Sequence, residues 1–116
     1  ENLLMNAASS GKLVRVHSVT VHNIDGTNAA TFTLDTYDQD GTGMSSQAAA
    51  NGVAIGSDTV AGSSLGGFKG ISVAGANALV VIDTTMNFVL LEDQSLVFTA
   101  SAADDLSVSI MYSTIG

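Results

Sequence analysis

Ala78-Leu79-Val80-Val81-Ile82-Asp83, Asn87-Phe88-Val89-Leu90-Leu91, Ser95-Leu96-Val97-Phe98-Thr99-Ala100-Ser101 and Asp105-Leu106-Ser107-Val108-Ser109-Ile110-Met111-Tyr112-Ser113 follow one another with little but turns between them. Each run is short, β-branched or aromatic in content, and bounded by Asp, Asn or Ser, which is the pattern of successive strands. The last run alternates cleanly. Leu106, Val108, Ile110 and Tyr112 share one parity, and Asp105, Ser107, Ser109 and Ser113 share the other. Strand side chains alternate faces, so this describes a sheet with one dry side and one wet side.

The same reading extends to the first third of the chain. Lys12 to His22 is rich in valine, but its alternation changes phase: Val14 and Val16 lie on one parity, Val19 and Val21 on the other. A bulge near His17-Ser18, or a strand passing between two sheets, produces such a shift. Asn23-Ile24-Asp25-Gly26-Thr27-Asn28 reads as a turn, with Asp-Gly expected to supply a positive φ. Ala30 to Asp38 returns as a strand, Phe32 and Leu34 on one face and Thr31, Thr33, Asp35 and Tyr37 on the other. The expected fold is all-β: a single antiparallel β-sandwich of seven or eight strands, Ig-like or jelly-roll-like, spanning 1–116 as one domain. Val19, Val21, Phe32, Leu34, Leu79, Val81, Phe88, Leu90, Leu96, Phe98, Leu106, Val108 and Ile110 are its expected core.

Residues 39–70 differ. From Gln39-Asp40-Gly41-Thr42-Gly43 to Gly66-Gly67-Phe68-Lys69-Gly70 the chain is dense in Gly, Ser and Ala, and Met44 to Ala50 has room for one or two helical turns. The segment reads as a long loop excursion, or arm, from the β core. Val53, Ile55, Val60, Leu65 and Phe68 are too apolar for a purely solvated linker, so they are the expected interface residues, ordered against a neighbouring subunit.

Composition narrows the function. A chain of 116 residues buries roughly 65% of its unfolded surface, enough for one core without cross-links. It has no cysteine, which removes disulfides and thiolate metal sites. Its 11 acidic residues against 3 Lys and Arg give a net charge of −8. So few cations disfavour binding to a phosphate backbone or an anionic membrane. No apolar run approaches the ~20 residues of a membrane helix. Glu1-Asn2-Leu3-Leu4-Met5-Asn6 lacks the basic start of a signal peptide; the missing initiator Met suggests processing, an omitted beginning or a cloning boundary. Only 12% of residues are charged, against about 25% for an ordinary globular domain. A surface of Ser, Thr, Ala, Gly and Asn is cheap to desolvate and suits packing against other subunits.

Candidate chemistry is sparse. Gly62-Ser63-Ser64-Leu65-Gly66 fits the G-x-S-x-G nucleophile elbow, but both histidines precede it and no βαβ pattern surrounds it. His17 and His22 lie five apart on a strand, on opposite faces unless a bulge intervenes, which makes a shared metal a poor expectation. Asp35, Asp38 and Asp40 before Gly41 suggest the start of a calcium loop, but no Glu stands at the position that would close it. No catalytic residue, cofactor or metal is therefore expected, and the chain reads as a non-enzyme. Six scattered Phe and Tyr residues and no Trp give no stacking platform for carbohydrate.

Several pieces in order resemble one family. They are Val19-Thr20-Val21-His22-Asn23-Ile24-Asp25-Gly26-Thr27, Leu34-Asp35-Thr36-Tyr37-Asp38 and Leu79-Val80-Val81-Ile82-Asp83. Leu91-Glu92-Asp93-Gln94-Ser95-Leu96, Thr99-Ala100-Ser101-Ala102-Ala103 and Met111-Tyr112-Ser113 complete the set. Together they resemble small virion structural proteins of tailed bacteriophages, particularly those of aquatic hosts, over about 70 of the residues. The family often carries a Pro before the apolar strand, where this chain has Val73-Ala74-Gly75, and its middle loop is usually shorter than 39–70. The resemblance implies a virion part: foremost a capsid decoration (cement) protein on the head surface, a homo-oligomer expected to be a trimer, contacting the major capsid protein or other virion proteins. A tail, neck or fibre component is the alternative within that class. A carbohydrate-binding β-sandwich module is the alternative outside it.

Overall fold

The computed structural model describes residues 2–7, 9–38, 53–54, 63–102 and 105–116. Nine strands follow in chain order: β1 (Asn2–Asn6), β2 (Leu13–Asn23), β3 (Ala30–Asp38), β4 (Val53–Ala54), β5 (Ser63–Val73), β6 (Ala78–Ile82), β7 (Phe88–Leu90), β8 (Gln94–Ala100) and β9 (Leu106–Ile115). A single 3₁₀ turn, Thr84–Met86, separates β6 from β7. The first sheet runs β1-β8-β3-β5. The second runs β4-β9-β2-β6, with β7 pairing β2 on the same edge as β6. All pairings are antiparallel, and the two sheets close on one apolar core, so the chain folds as a single β-sandwich.

The phase change in β2 is a bulge. Val16 pairs with Tyr112 and Ser18 with Met111, leaving His17 as the extra residue. Without it, Val14 and Val16 could not share the inner face with Val19 and Val21, and all four are buried. Phe32 and Phe98, the two largest fully buried side chains, meet across the β3–β8 pair with their rings stacked at 5.0 Å and 11° between planes.

Most of the expected core is inside, with exceptions. Leu79 is 37% exposed: it pairs with Val21 on the inner parity, but β6 is an edge strand that the opposite sheet covers incompletely. Val81 and Phe88 are half-buried at the core margin. Leu3, Leu4, Val14, Val16, Val73, Ile82 and Val97 join the buried set. Adjacent Leu3 and Leu4 are both inside because β1 is bulged between Asn2 and Leu4.

Two buried asparagines fasten the ends of the sandwich. Asn23 donates from Nδ2 to the carbonyls of Asn28 (2.8 Å) and Val73 (3.0 Å), and its Oδ1 accepts from the Asp25 amide (3.0 Å). Asn6, at the other end, donates to the carbonyls of Lys12 (2.8 Å) and Leu90 (3.1 Å) and accepts from Ser10 Oγ (2.6 Å). Buried amides with full sets of partners fix loop paths that no hydrophobic contact could specify.

The turn after β2 forms by a different device from the one expected. Gly26 does not adopt a positive φ. Instead the Asp25 carboxylate accepts from the amides of Thr27 (2.9 Å) and Asn28 (3.2 Å), an Asx-type turn. Those two amides hold the Asp25 pKa below its ordinary value of 3.8.

Candidate functional site

The segment 39–70 is not a loop throughout. Ser63–Gly70 lies in β5, hydrogen-bonded to β3. No strand signal marks that stretch because glycine interrupts the alternation; cross-strand pairing with β3 supplies what propensity does not. Of the five expected interface residues, Phe68 faces Leu34 across the pair and packs half-buried against the core. Leu65 lies in β5, and Val53 in β4 opposite Val108. Ile55 and Val60 lie outside the described residues, as do Asp40 and the expected helical turns of 44–50.

The other candidate sites are placed as follows. Ser64 runs in extended β5 opposite Tyr37, without the strand-to-helix turn that a nucleophile elbow requires. His17 Nε2 hydrogen-bonds Ser113 Oγ at 2.9 Å, and His22 is exposed further along β2. Asp35 is buried on β3, and Asp38 ends that strand. Among the described residues no group of three or more His, Asp or Glu side chains is placed to hold a metal ion.

What the fold does assemble is a sheet surface. On the outer side of the second sheet, Leu13 lies beside Ile115 across the β2–β9 pair. Arg15 sits between Val89 of β7 and Ser113 of β9, and Thr20 lies beside Val80 of β6. Leu13, Val80, Val89, Met111 and Ile115 are all exposed, Met111 at 65% and Val80 at 58%. Arg15 is held by Asn87 Oδ1 at 2.9 Å. Arg15, His17 and His22 are the potential cations of β2, and neither β2 nor β9 contains a carboxylate. This apolar surface with a weakly cationic margin belongs to a chain of net charge −8.

The carboxylates collect in the turns instead. Asp25 and Asp105 lie at one end, where the Ile24 amide donates to the Asp105 carbonyl (2.8 Å). Glu92 and Asp93 stand at the other, Glu92 accepting from the Gly11 amide (2.8 Å). Alternation predicts which residues leave the core, but not that four strands bring their outward apolar residues to one place. That follows from the non-local pairing of β2 with β7 and β9, which no local signal carries. Comparison of the chain with protein-family models, with curated proteins and with solved structures finds no match.

Proposed function

We propose that this chain is a structural subunit of a phage particle: a decoration (cement) protein that assembles as a homo-oligomer on the outside of the head and contacts the major capsid protein. The observation that carries the reading is the outer face of the second sheet. Five large apolar side chains from four strands stand exposed there on a rigid scaffold. Large apolar residues gathered on one sheet face and interleaved with polar ones suit a contact surface, and contact is the task of a cementing subunit. The ordered resemblance to virion proteins supports the same reading, from the turn at 23–28 to the closing strand. Acidic turns at both ends oppose indiscriminate association of free copies in solution.

Half-exposed Tyr112 favours a second reading, a carbohydrate-binding module, because an exposed aromatic ring on a sandwich can stack on a sugar. Imaging particles that carry an epitope-tagged copy tests the first reading. Tag density at capsomer junctions is the expected result. Density along a tail would reassign the subunit within the particle. Untagged particles together with saturable glycan binding would replace the first reading by the second.

A further inference from the structure

We propose that the C-terminal half of β9 pairs edge to edge with the same segment of a second copy, joining two sandwiches by one continuous antiparallel sheet about a two-fold axis. This deepens the homo-oligomer reading above, on which it rests, and replaces the expected trimer by a dimer as the elementary unit.

Exposed strand edges offer unpaired N–H and C=O groups to any other strand, and natural sandwiches blunt them with bulges, charges, prolines or short length. Every other edge here is blunted. β1 has five residues and a bulge. β6 has five and a bulge opposite Val19 and Thr20, and β7 has three. β5 is long, but it breaks register twice against β3, turns through Gly70 at φ +63° and carries Lys69. β9 has none of these devices. Among the described strands, β4 covers its outer edge at Ser107 and Val108, and Tyr112 to Ile115 of β9 extends beyond β4. From Tyr112 to Ile115 it runs in unbroken register with β2. An edge of this kind takes an extended strand and nothing else, because its hydrogen-bonding groups are spaced for one.

Charge and register identify that strand as a second β9. Two copies at −8 each repel over most of their surface, and Leu106–Ile115 contains no acidic or basic side chain. Antiparallel pairing centred on Ser113 sets Met111 opposite the partner's Ile115 and Ile115 opposite the partner's Met111, all on the outer face. It sets Tyr112 beside the partner's Thr114 on the other face. Met111, Tyr112 and Ile115 are 65%, 48% and 53% exposed in the single chain, and one contact covers all three. Cross-strand apolar pairs of this kind are what stabilise an antiparallel ladder.

Sedimentation velocity on the intact chain tests this. The wild type is expected to be a dimer at micromolar concentration. M111K and I115E alter residues already exposed, so both should fold, as circular dichroism would confirm, and each should weaken the dimer by about 100-fold. M111K/I115E in one chain places opposite charges across both halves of the junction and should restore association. S113C, the only thiol in the chain, should cross-link to its own copy on oxidation. A monomeric or trimeric wild type, a dimer indifferent to M111K, or a double variant no better than the singles would each overturn the proposal. Dimers that form in solution yet never appear on particles would leave the edge pairing standing and refute the virion reading instead.

Discussion

Asn23 shows how much one side chain can organise. Its amide reaches two carbonyls and its oxygen one amide, all at an end of the sandwich with little apolar content of its own. N23A should cost about 3 kcal/mol in urea denaturation, because each buried group left without a partner costs about 1–3 kcal/mol and not all will find water. Next to it, Asp25 makes stability depend on pH. Its folded pKa lies below the ordinary 3.8, so the ionised form favours the native state. That contribution is complete above the unfolded pKa and is lost as pH falls through the lower folded value. D25N keeps the acceptor oxygen but not the charge. Its melting temperature should therefore fall less steeply than the wild type's on acidification below 3.8. Neither role could be read from the chain. Asn23 and Asp25 look like turn residues, and they are, but only the fold decides that one is buried and that the other, not Gly26, shapes the turn.

At the scale of elements, alternation was a sound guide wherever a strand meets both a neighbour and the opposite sheet. Phe32, Leu34, Leu96, Phe98, Leu106 and Val108 lie inside as their parity requires. It failed where coverage rather than parity decides, as at Leu79 on its edge strand. It was silent on β1 and β5, whose bulges and glycines erase the period. The bulge at His17 is the instructive success: a phase change in the valines was enough to find it. β5 has its own test. Gly67 is solvent-exposed, yet a Cβ there would collide with the Leu34 carbonyl oxygen and stand 2.8 Å from Asp35 Cα. G67A should cost about 1–3 kcal/mol, the usual range for forced overpacking, and should raise hydrogen exchange along Ala30–Asp38. A loss under about 0.5 kcal/mol, ordinary for an exposed surface site, would show that β5 can shift to make room.

For the molecule as a whole, the proposed contact surface follows from topology more than from composition. Low charge density hinted that much of the surface could be buried. Among the described residues, Leu13, Val80, Val89, Met111 and Ile115 stand exposed on β2, β6, β7 and β9, because those strands meet at the outer side of the second sheet. The pairing pattern also bears on biosynthesis. Asn2 pairs with Val97 and Leu13 with Ile115, so β1 has no neighbour until β8 has been made, and β2, which β6 and β7 pair on one edge, lacks its other neighbour until β9 has. Contacts this distant in sequence make folding slow, on the order of milliseconds to seconds for sandwiches of this size. A ribosome that has translated as far as Ala100 therefore holds a chain whose central strand, β2, still lacks β9. The native sandwich must wait for β9, and a nascent chain arrested before Leu106 leaves the exit tunnel should remain open to proteases.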